Sequence, residues 1–131
     1  MHGKHLLIVT AFSEAATGLV LLCLPGFAFS LLLGIDTPAT EATLVGRIAG
    51  AALLAFGMAC WSARRDEGRV SRRELLAAKL IYDTAAAALL VYAGLKLNMV
   101  GLALWPGVVL HAVLAAWCVI CLASPHLWRT P

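Results

Sequence analysis

The stretch EATLVGRIAGAALLAFGMACW, from Glu41 to Trp61, decides the fold of this chain. It is long enough to cross a bilayer, because a helix of about 20 apolar residues matches the thickness of the hydrocarbon core. The spacing Gly46-x-x-x-Gly50 is typical of membrane helices that pack closely. Arg47 lies well inside the apolar run, and an arginine at that depth needs a partner. The stretch therefore predicts a membrane helix bundle organised around Arg47.

The composition of the whole chain agrees with a membrane protein. Of its 131 residues, 62% are apolar and 13% are charged, against about 45–50% and about 25% in soluble domains. The charged residues are clustered, which leaves long uncharged blocks between them. The length fits a single domain, residues 1–131. There is no basic tract with interleaved aromatic residues, so nucleic acid is not expected as a partner.

Four apolar segments predict an all-α integral membrane protein, a four-transmembrane-helix bundle. The predicted helices cover residues 5–24, 38–63, 72–95 and 99–123, with a short interfacial segment at 27–34. Thr37 as a cap followed by Pro38 predicts the start of the second helix. Ser71-x-x-Glu74 is typical of a capping box at the start of the third. The fourth helix starts near residue 99, where Pro106 would kink it, or at Pro106 itself.

The basic residues predict the orientation of the bundle. The link between the second and third helices carries five arginines, which are Arg64, Arg65, Arg69, Arg72 and Arg73. With four spans, both termini fall on the side of that link, and they carry Lys4 and Arg129. On the opposite side, Lys96 is the only basic residue. By the positive-inside rule, both termini are predicted to be cytoplasmic.

Each predicted span holds one ionisable residue near its middle. These residues are Glu14, Arg47, Asp83 and His111, and a rise of about 1.5 Å per residue places them within roughly 10 Å of depth. A central charge costs on the order of 2.5–3.5 kcal/mol, so the four should pair with one another, face water or be neutral. Arg47 cannot lose its proton, so at least one of Glu14 and Asp83 is predicted to be its ionised partner. The other carboxyl is protonated, pairs with protonated His111, or pairs with Lys79 one turn before Asp83.

The same cluster is the predicted functional site. The candidate acid–base groups are Glu14, Asp83 and His111. The candidate ligand-binding residues are Arg47, Thr43, Thr17 and Tyr82. No metal site and no cofactor is predicted. Three functions stay open: a pocket for a lipophilic ligand or substrate, with acid–base chemistry; an accessory subunit whose ion pairs are structural; and a small proton-coupled transporter.

The cysteines offer a second hypothesis. Cys118-Val-Ile-Cys121 has the spacing of a redox or soft-metal pair, and Cys60 lies at a similar predicted depth. No basic residue adjoins the pair in sequence to activate the thiols. The favoured interpretation is therefore that these cysteines pack as small hydrophobic residues.

Two stretches resemble a known group of proteins. They are GLVLLCLPGFAFSLLLGID, Gly18 to Asp36, and GRIAGAALLAFGMACWSAR, Gly46 to Arg64. Their Pro-Gly break, LLG turn and Arg-x-x-Gly helix start resemble the small four-helix bacterial membrane proteins called DoxX-like, few of which have an assigned activity. The resemblance covers about half of the chain and implies a four-helix bundle in the bacterial inner membrane. The expected partners are the lipid bilayer, a lipophilic small molecule, and a homo-oligomer or larger membrane complex.

Two further groups share single features with the chain. Small multidrug-resistance transporters have four short helices and a membrane-embedded glutamate in the first, as Glu14 is here. This chain lacks the tryptophan- and glycine-rich signature of their third helix. Thiol oxidoreductases of the vitamin K epoxide reductase type also combine four helices with a CxxC pair. Their pair is extracytoplasmic, whereas Cys118 and Cys121 fall on the predicted cytoplasmic side.

Overall fold

The computed structural model describes residues 2–64 and 69–124, with the side chains of residues 5–64 and 73–124. Within these ranges the chain is all-helical and forms five helices. They are α1 (His2–Cys23), α2 (Pro25–Leu33), α3 (Thr40–Ala63), α4 (Arg69–Lys96) and α5 (Leu104–Ala123). In the described part of the chain, α1, α3, α4 and α5 are long and apolar enough to cross a membrane. This confirms the prediction of an all-helical chain with four helices of spanning length.

The helices pack as two close pairs. α1 lies along α3 and α4 lies along α5, while α1 with α5 and α3 with α4 make looser contacts between the pairs. α1 and α3 approach closely because glycines meet at their crossing. A Cβ atom built on Gly50 would lie 2.6 Å from the Gly18 carbonyl oxygen, and one built on Gly18 would lie 2.7 Å from the Gly50 oxygen. The Gly46-x-x-x-Gly50 motif therefore packs within this chain.

α2 and the loop at 97–103 close one end of the bundle, which we call the α2 end. α2 contacts α1, α3 and α5. The backbone N–H of Ala103 donates to the carbonyl oxygen of Leu31 at 2.8 Å. Gly101 lies directly against the backbone of Leu32, where a side chain would not fit. The segment predicted at 27–34 is thus a short helix packed against three longer ones.

An apolar core fills the opposite end of the bundle. Its buried members are Leu6, Leu7, Ala11, Cys60, Ala63, Leu76, Leu114, Cys118 and Cys121. They come from the first turns of α1 and α4 and from the last turns of α3 and α5, apart from Leu114, which lies nearer the middle of α5. All four cysteines are thiols. The three in this core pack among leucine and alanine side chains, as the favoured interpretation of the sequence predicts.

The helix boundaries differ from the predicted ones by a few residues. α3 begins at Thr40 with Ala39 as its N-cap, because Ala39 after Pro38 has an extended backbone. α4 already includes Arg69, so its first turn precedes Ser71. α5 begins at Leu104, which places Pro106 in the first turn, where proline is tolerated without a kink.

The predicted orientation rests partly on residues outside the described part of the chain. These are the side chains of Lys4, Arg69 and Arg72, together with Arg65 and Arg129. Of the other basic residues, Arg64 lies with its guanidinium carbon 3.4 Å from the ring centre of Trp61. Trp61 also packs edge-on against Phe12, with ring centres 5.6 Å apart. Aromatic and cationic side chains combined at a helix end are typical of a membrane interface.

Candidate functional site

Four ionisable side chains meet in the interior of the bundle. This central cluster consists of Glu14 from α1, Lys79 and Asp83 from α4, and His111 from α5. The Lys79 ammonium donates to Glu14 Oε1 and, at 2.7 Å, to Asp83 Oδ1. His111 Nδ1 lies 2.9 Å from the same Asp83 oxygen. Glu14, Lys79 and Asp83 are at most 3% exposed, so the ion pairs that they form are buried inside the bundle.

Helical spacing explains why these residues meet. Lys79 and Asp83 are four residues apart, which places them on one face of α4. Glu14, Asp83 and His111 lie close to the middle of the membrane-length helices that carry them. The structure thus brings the three candidate acid–base groups together at a common depth, as the sequence predicts.

Arg47 is not part of the central cluster, which corrects the prediction that a carboxylate is its partner. Its side chain is exposed on the outer face of α3, and the described side chains include no carboxylate paired with it. α3 buries the face that carries Gly46, Gly50, Leu53 and Gly57. Arg47 follows Gly46 by one position, which turns it about 100° away from that face. Lys79 supplies the cation instead.

A small cleft between α1 and α5 leads to the central cluster. Its volume is about 30 Å³, and its lining residues are Ser13, Glu14, Thr17, Tyr82, Leu110, His111 and Leu114. This volume corresponds to about two water-sized groups. Thr17 and Leu110 are exposed on the outer surface of the bundle. The cleft therefore opens sideways, between the two helices.

The cleft accounts for some of the predicted ligand-binding residues. Thr17 and Tyr82 line it, together with the candidate acid–base groups Glu14 and His111. Thr43 does not line it, and its hydroxyl donates to the Ala39 carbonyl oxygen at 3.1 Å near the start of α3. Three residues of the site were not singled out from the sequence, which are Ser13, Leu110 and Leu114. Lys79 was predicted as a possible partner of a carboxyl from its spacing of four with Asp83, and the structure confirms that pair.

Asp83 fixes the orientation of the His111 ring. An ionised Asp83 can only accept, so its Oδ1 accepts from the Lys79 ammonium and also from His111. His111 Nδ1 then carries the proton, and in the neutral ring Nε2 is left to accept a hydrogen bond. The Tyr82 ring packs edge-on against the imidazole, with ring centres 5.6 Å apart. The imidazole is thus held from two sides while it lines the cleft.

The central cluster carries an excess of acidic groups. Two carboxylates face one ammonium, so with a neutral His111 the net charge is one negative. An uncompensated charge is costly in an apolar interior. In addition, Asp83 Oδ2 and Thr10 Oγ1 are buried without a hydrogen-bond partner among the described residues. One further proton, or a hydrogen-bond donor in the cleft, would offset this excess.

The described residues include no group of three histidine, cysteine or acidic side chains arranged to hold a metal ion. No family model, curated protein or solved structure matches the chain. The DoxX-like resemblance therefore stays a prediction. The function has to be argued from the geometry of the central cluster and its cleft.

Proposed function

We propose that this chain is a multi-pass protein of the bacterial inner membrane, with both termini cytoplasmic, that binds the polar end of a lipophilic molecule. The site is the cleft between α1 and α5, and His111 exchanges a proton with the bound molecule. One observation carries the proposal: a sideways opening halfway along the helices has Glu14 and His111 in its wall. At that depth in a bilayer, the opening faces hydrocarbon and not water.

Packed residues close both ends of the bundle, which supports entry of the ligand from the side. The apolar core lies between the central cluster and the end where α1 begins and α5 ends. α2 and Gly101 pack across the other end. The cleft holds only about 30 Å³, so it accommodates a small head group while the apolar chain stays along the outer surfaces of α1 and α5.

The chemistry of the lining favours a head group that donates hydrogen bonds. Glu14, when ionised, only accepts, and His111 Nε2 accepts in the neutral ring. The Ser13 hydroxyl donates to the Thr10 carbonyl oxygen at 3.0 Å and can therefore only accept from a ligand, whereas Thr17 can do either. The cluster also has a negative excess. A hydroxyl or an amine therefore suits the cleft, whereas a carboxylate would be repelled. In this arrangement His111 accepts a hydrogen bond from the head group, and takes a proton from it only where the head group is more acidic than an imidazolium. Asp83 positions the ring, and Lys79 compensates the two carboxylates.

Lipophilic probes with different heads test the cleft. In detergent-purified protein, 1-dodecanol and dodecylamine are expected to raise the unfolding temperature, while dodecanoate and dodecane leave it unchanged. At a probe concentration 100 times Kd, the stabilisation would be about 2.7 kcal/mol. Thr17→Leu, which fills the cleft, should abolish the response. Ala16→Leu is the matched control, because Ala16 is exposed and does not line the cleft.

Two results of that experiment would contradict the proposal. One is an equal shift with all four probes, which would indicate general partitioning into the micelle. The other is a Thr17→Leu protein that responds like the unsubstituted one.

The tautomer of His111 tests the role of Asp83. In protein with ¹⁵N-labelled histidine, the His111 signal, assigned by its loss in His111→Gln, should show the proton on Nδ1 and a bare Nε2. Adding dodecylamine at saturation should move the Nε2 shift toward that of a hydrogen-bonded nitrogen. Asp83→Asn is expected to change the tautomer, because an amide can also donate to Nδ1. Glu14→Gln should leave the tautomer unchanged, and a proton found on Nε2 of the unsubstituted protein would rule out the assigned geometry.

The two other functions predict different results. If the central cluster is only structural, Glu14→Gln and Asp83→Asn lower the thermal stability, and none of the probes binds. A proton-coupled transporter would instead show proton flux in sealed vesicles that depends on the added probe. The narrow cleft, open on one side of the bundle, favours a binding site over a pathway across it.

A further inference from the structure

Arg47 is a cation on the outer surface of an apolar helix. Its neighbours Leu44 and Ile48 are 60% and 62% exposed, so the surface around it is apolar. Within the described part of the chain no carboxylate pairs with it. In the membrane placement of the proposed function, on which this inference rests, this surface faces lipid. A guanidinium there needs an anionic partner from outside the chain.

The position of Arg47 along α3 indicates where that partner lies. Arg47 is four to five residues from the middle of Thr40–Ala63, which corresponds to about 7 Å. Half of the hydrocarbon thickness is about 15 Å, so its Cα atom lies about 8 Å below the nearer headgroup region. That region is at the α2 end, where α3 begins. Helical side chains tilt toward the helix N-terminus, so the arginine extends toward the same region.

We propose that Arg47 binds the phosphate of a phospholipid headgroup in the leaflet at the α2 end. The apolar stem of the side chain lies along α3 and its guanidinium reaches the headgroup level. Guanidinium groups bind phosphate oxygens through two parallel hydrogen bonds, which fixes the position of the lipid. The bound lipid is thereby held against the outer face of α3, at the level of Arg47.

A carboxylate of a second copy fits this position less well. Glu41 is exposed on the same helix, but it lies six residues nearer the helix start, or about 9 Å. In a second copy with the same orientation, both side chains tilt toward the helix start, so the Glu41 carboxylate stays nearer the α2 end than the guanidinium. Asp36 is already engaged, because it accepts a hydrogen bond from the Ser30 hydroxyl at 2.6 Å. A lipid phosphate is present all along this surface at the required depth.

The test compares lipids with and without phosphate in protein purified in dodecyl maltoside. Dioleoylphosphatidylglycerol is expected to raise the unfolding temperature and to remain bound in native mass spectrometry. Dioleoylglycerol, which has the same chains without the phosphate, should do neither. Arg47→Gln should lower the affinity for the phospholipid at least tenfold, and Arg47→Lys should retain part of it. Lys96→Gln is the matched control, because Lys96 is an exposed cation at the end of α4, at the α2 end.

Three results would overturn the inference. The first is an Arg47→Gln protein that retains phosphatidylglycerol like the unsubstituted one. The second is the same thermal shift with inorganic phosphate alone, which would indicate a site for the free ion. The third is a dimer, detected by light scattering, that Arg47→Gln dissociates. Arg47→Gln should still bind dodecylamine in the cleft, so the lipid site can fail while the proposed function stands.

Discussion

Replacing Lys79 with methionine is expected to lower the free energy of unfolding by about 3–5 kcal/mol, the usual cost of removing one partner from a buried ion pair. The Lys79 ammonium is the cation that contacts both Glu14 and Asp83, and all three side chains are almost fully buried. Methionine fills a similar volume, so the loss would come from the uncompensated carboxylates and not from a void. Unfolding of the detergent-purified protein by sodium dodecyl sulfate measures the effect.

Arg47→Met is the control for this experiment, because it also removes one cation from a membrane-length helix. Arg47 has an exposed side chain, so in detergent its replacement should leave the unfolding midpoint almost unchanged. Adding Glu14→Gln and Asp83→Asn to Lys79→Met should restore much of the stability, because neutral groups remove the excess charge. If Lys79→Met unfolds like Arg47→Met, the central cluster does not stabilise the bundle.

Gly50→Val is expected to be the other strongly destabilising change, at about 3 kcal/mol, the upper part of the usual range for overpacking. Its Cβ atom would meet the Gly18 carbonyl oxygen and, at 2.7 Å, the Leu22 backbone nitrogen. Backbone atoms cannot rotate away as a side chain can, so α1 and α3 would have to separate. Glu14 lies one turn before Gly18 on α1, so its contact with Lys79 should also be disturbed.

Ala52→Val is the matched control for Gly50→Val, because it places the same side chain on the exposed face of α3. It should change the unfolding midpoint little. The response to dodecylamine gives a second measurement, since a displaced α1 also widens the cleft. An unchanged midpoint and an unchanged probe response in Gly50→Val would show that the two helices do not cross at these glycines.

Much of the architecture could be predicted, because it follows from hydropathy and length alone. Runs of apolar residues indicate which helices are long enough to span a bilayer, and the residue number along each run gives the depth. Glu14, Asp83 and His111 were placed at a common depth in this way, and the structure brings them together. The prediction from depth succeeded for these three residues because each of them also lies on the inward-facing side of its helix.

The predicted pairing of Arg47 with a carboxylate was wrong because depth does not determine the direction in which a side chain points, whereas the predicted alternative of a pair with Lys79 is confirmed. Arg47 lies at a suitable depth, but the buried face of α3 passes through Gly46 and Gly50 and leaves Arg47 outside. Lys79 is farther from the middle of its span, yet its side chain is long enough to reach Glu14. Choosing between the two cations required the packing face of each helix. For α3, the glycine spacing indicates which face packs inward, and Arg47 lies off that face.

The cleft could not be predicted from the sequence for a different reason. Its wall combines residues of α1, α4 and α5, so its volume depends on how three helices pack. Ser13 and Thr17 are spaced by one turn, as are Leu110 and Leu114, which shows only that each pair shares a face. Which faces meet is a property of the assembled bundle.

The ion pair between Glu14 of α1 and Lys79 of α4 joins residues that are synthesised at different times. Glu14 is synthesised many residues before Lys79, so the first hairpin, α1 with α3, enters the membrane before its cation exists. During that interval Glu14 faces lipid, water or another protein, because its partner has not yet left the ribosome. A chain that ends after α3 would keep this acid without Lys79 to compensate it. The finished protein and the truncated chain therefore differ in whether the Glu14 carboxylate has a cation beside it.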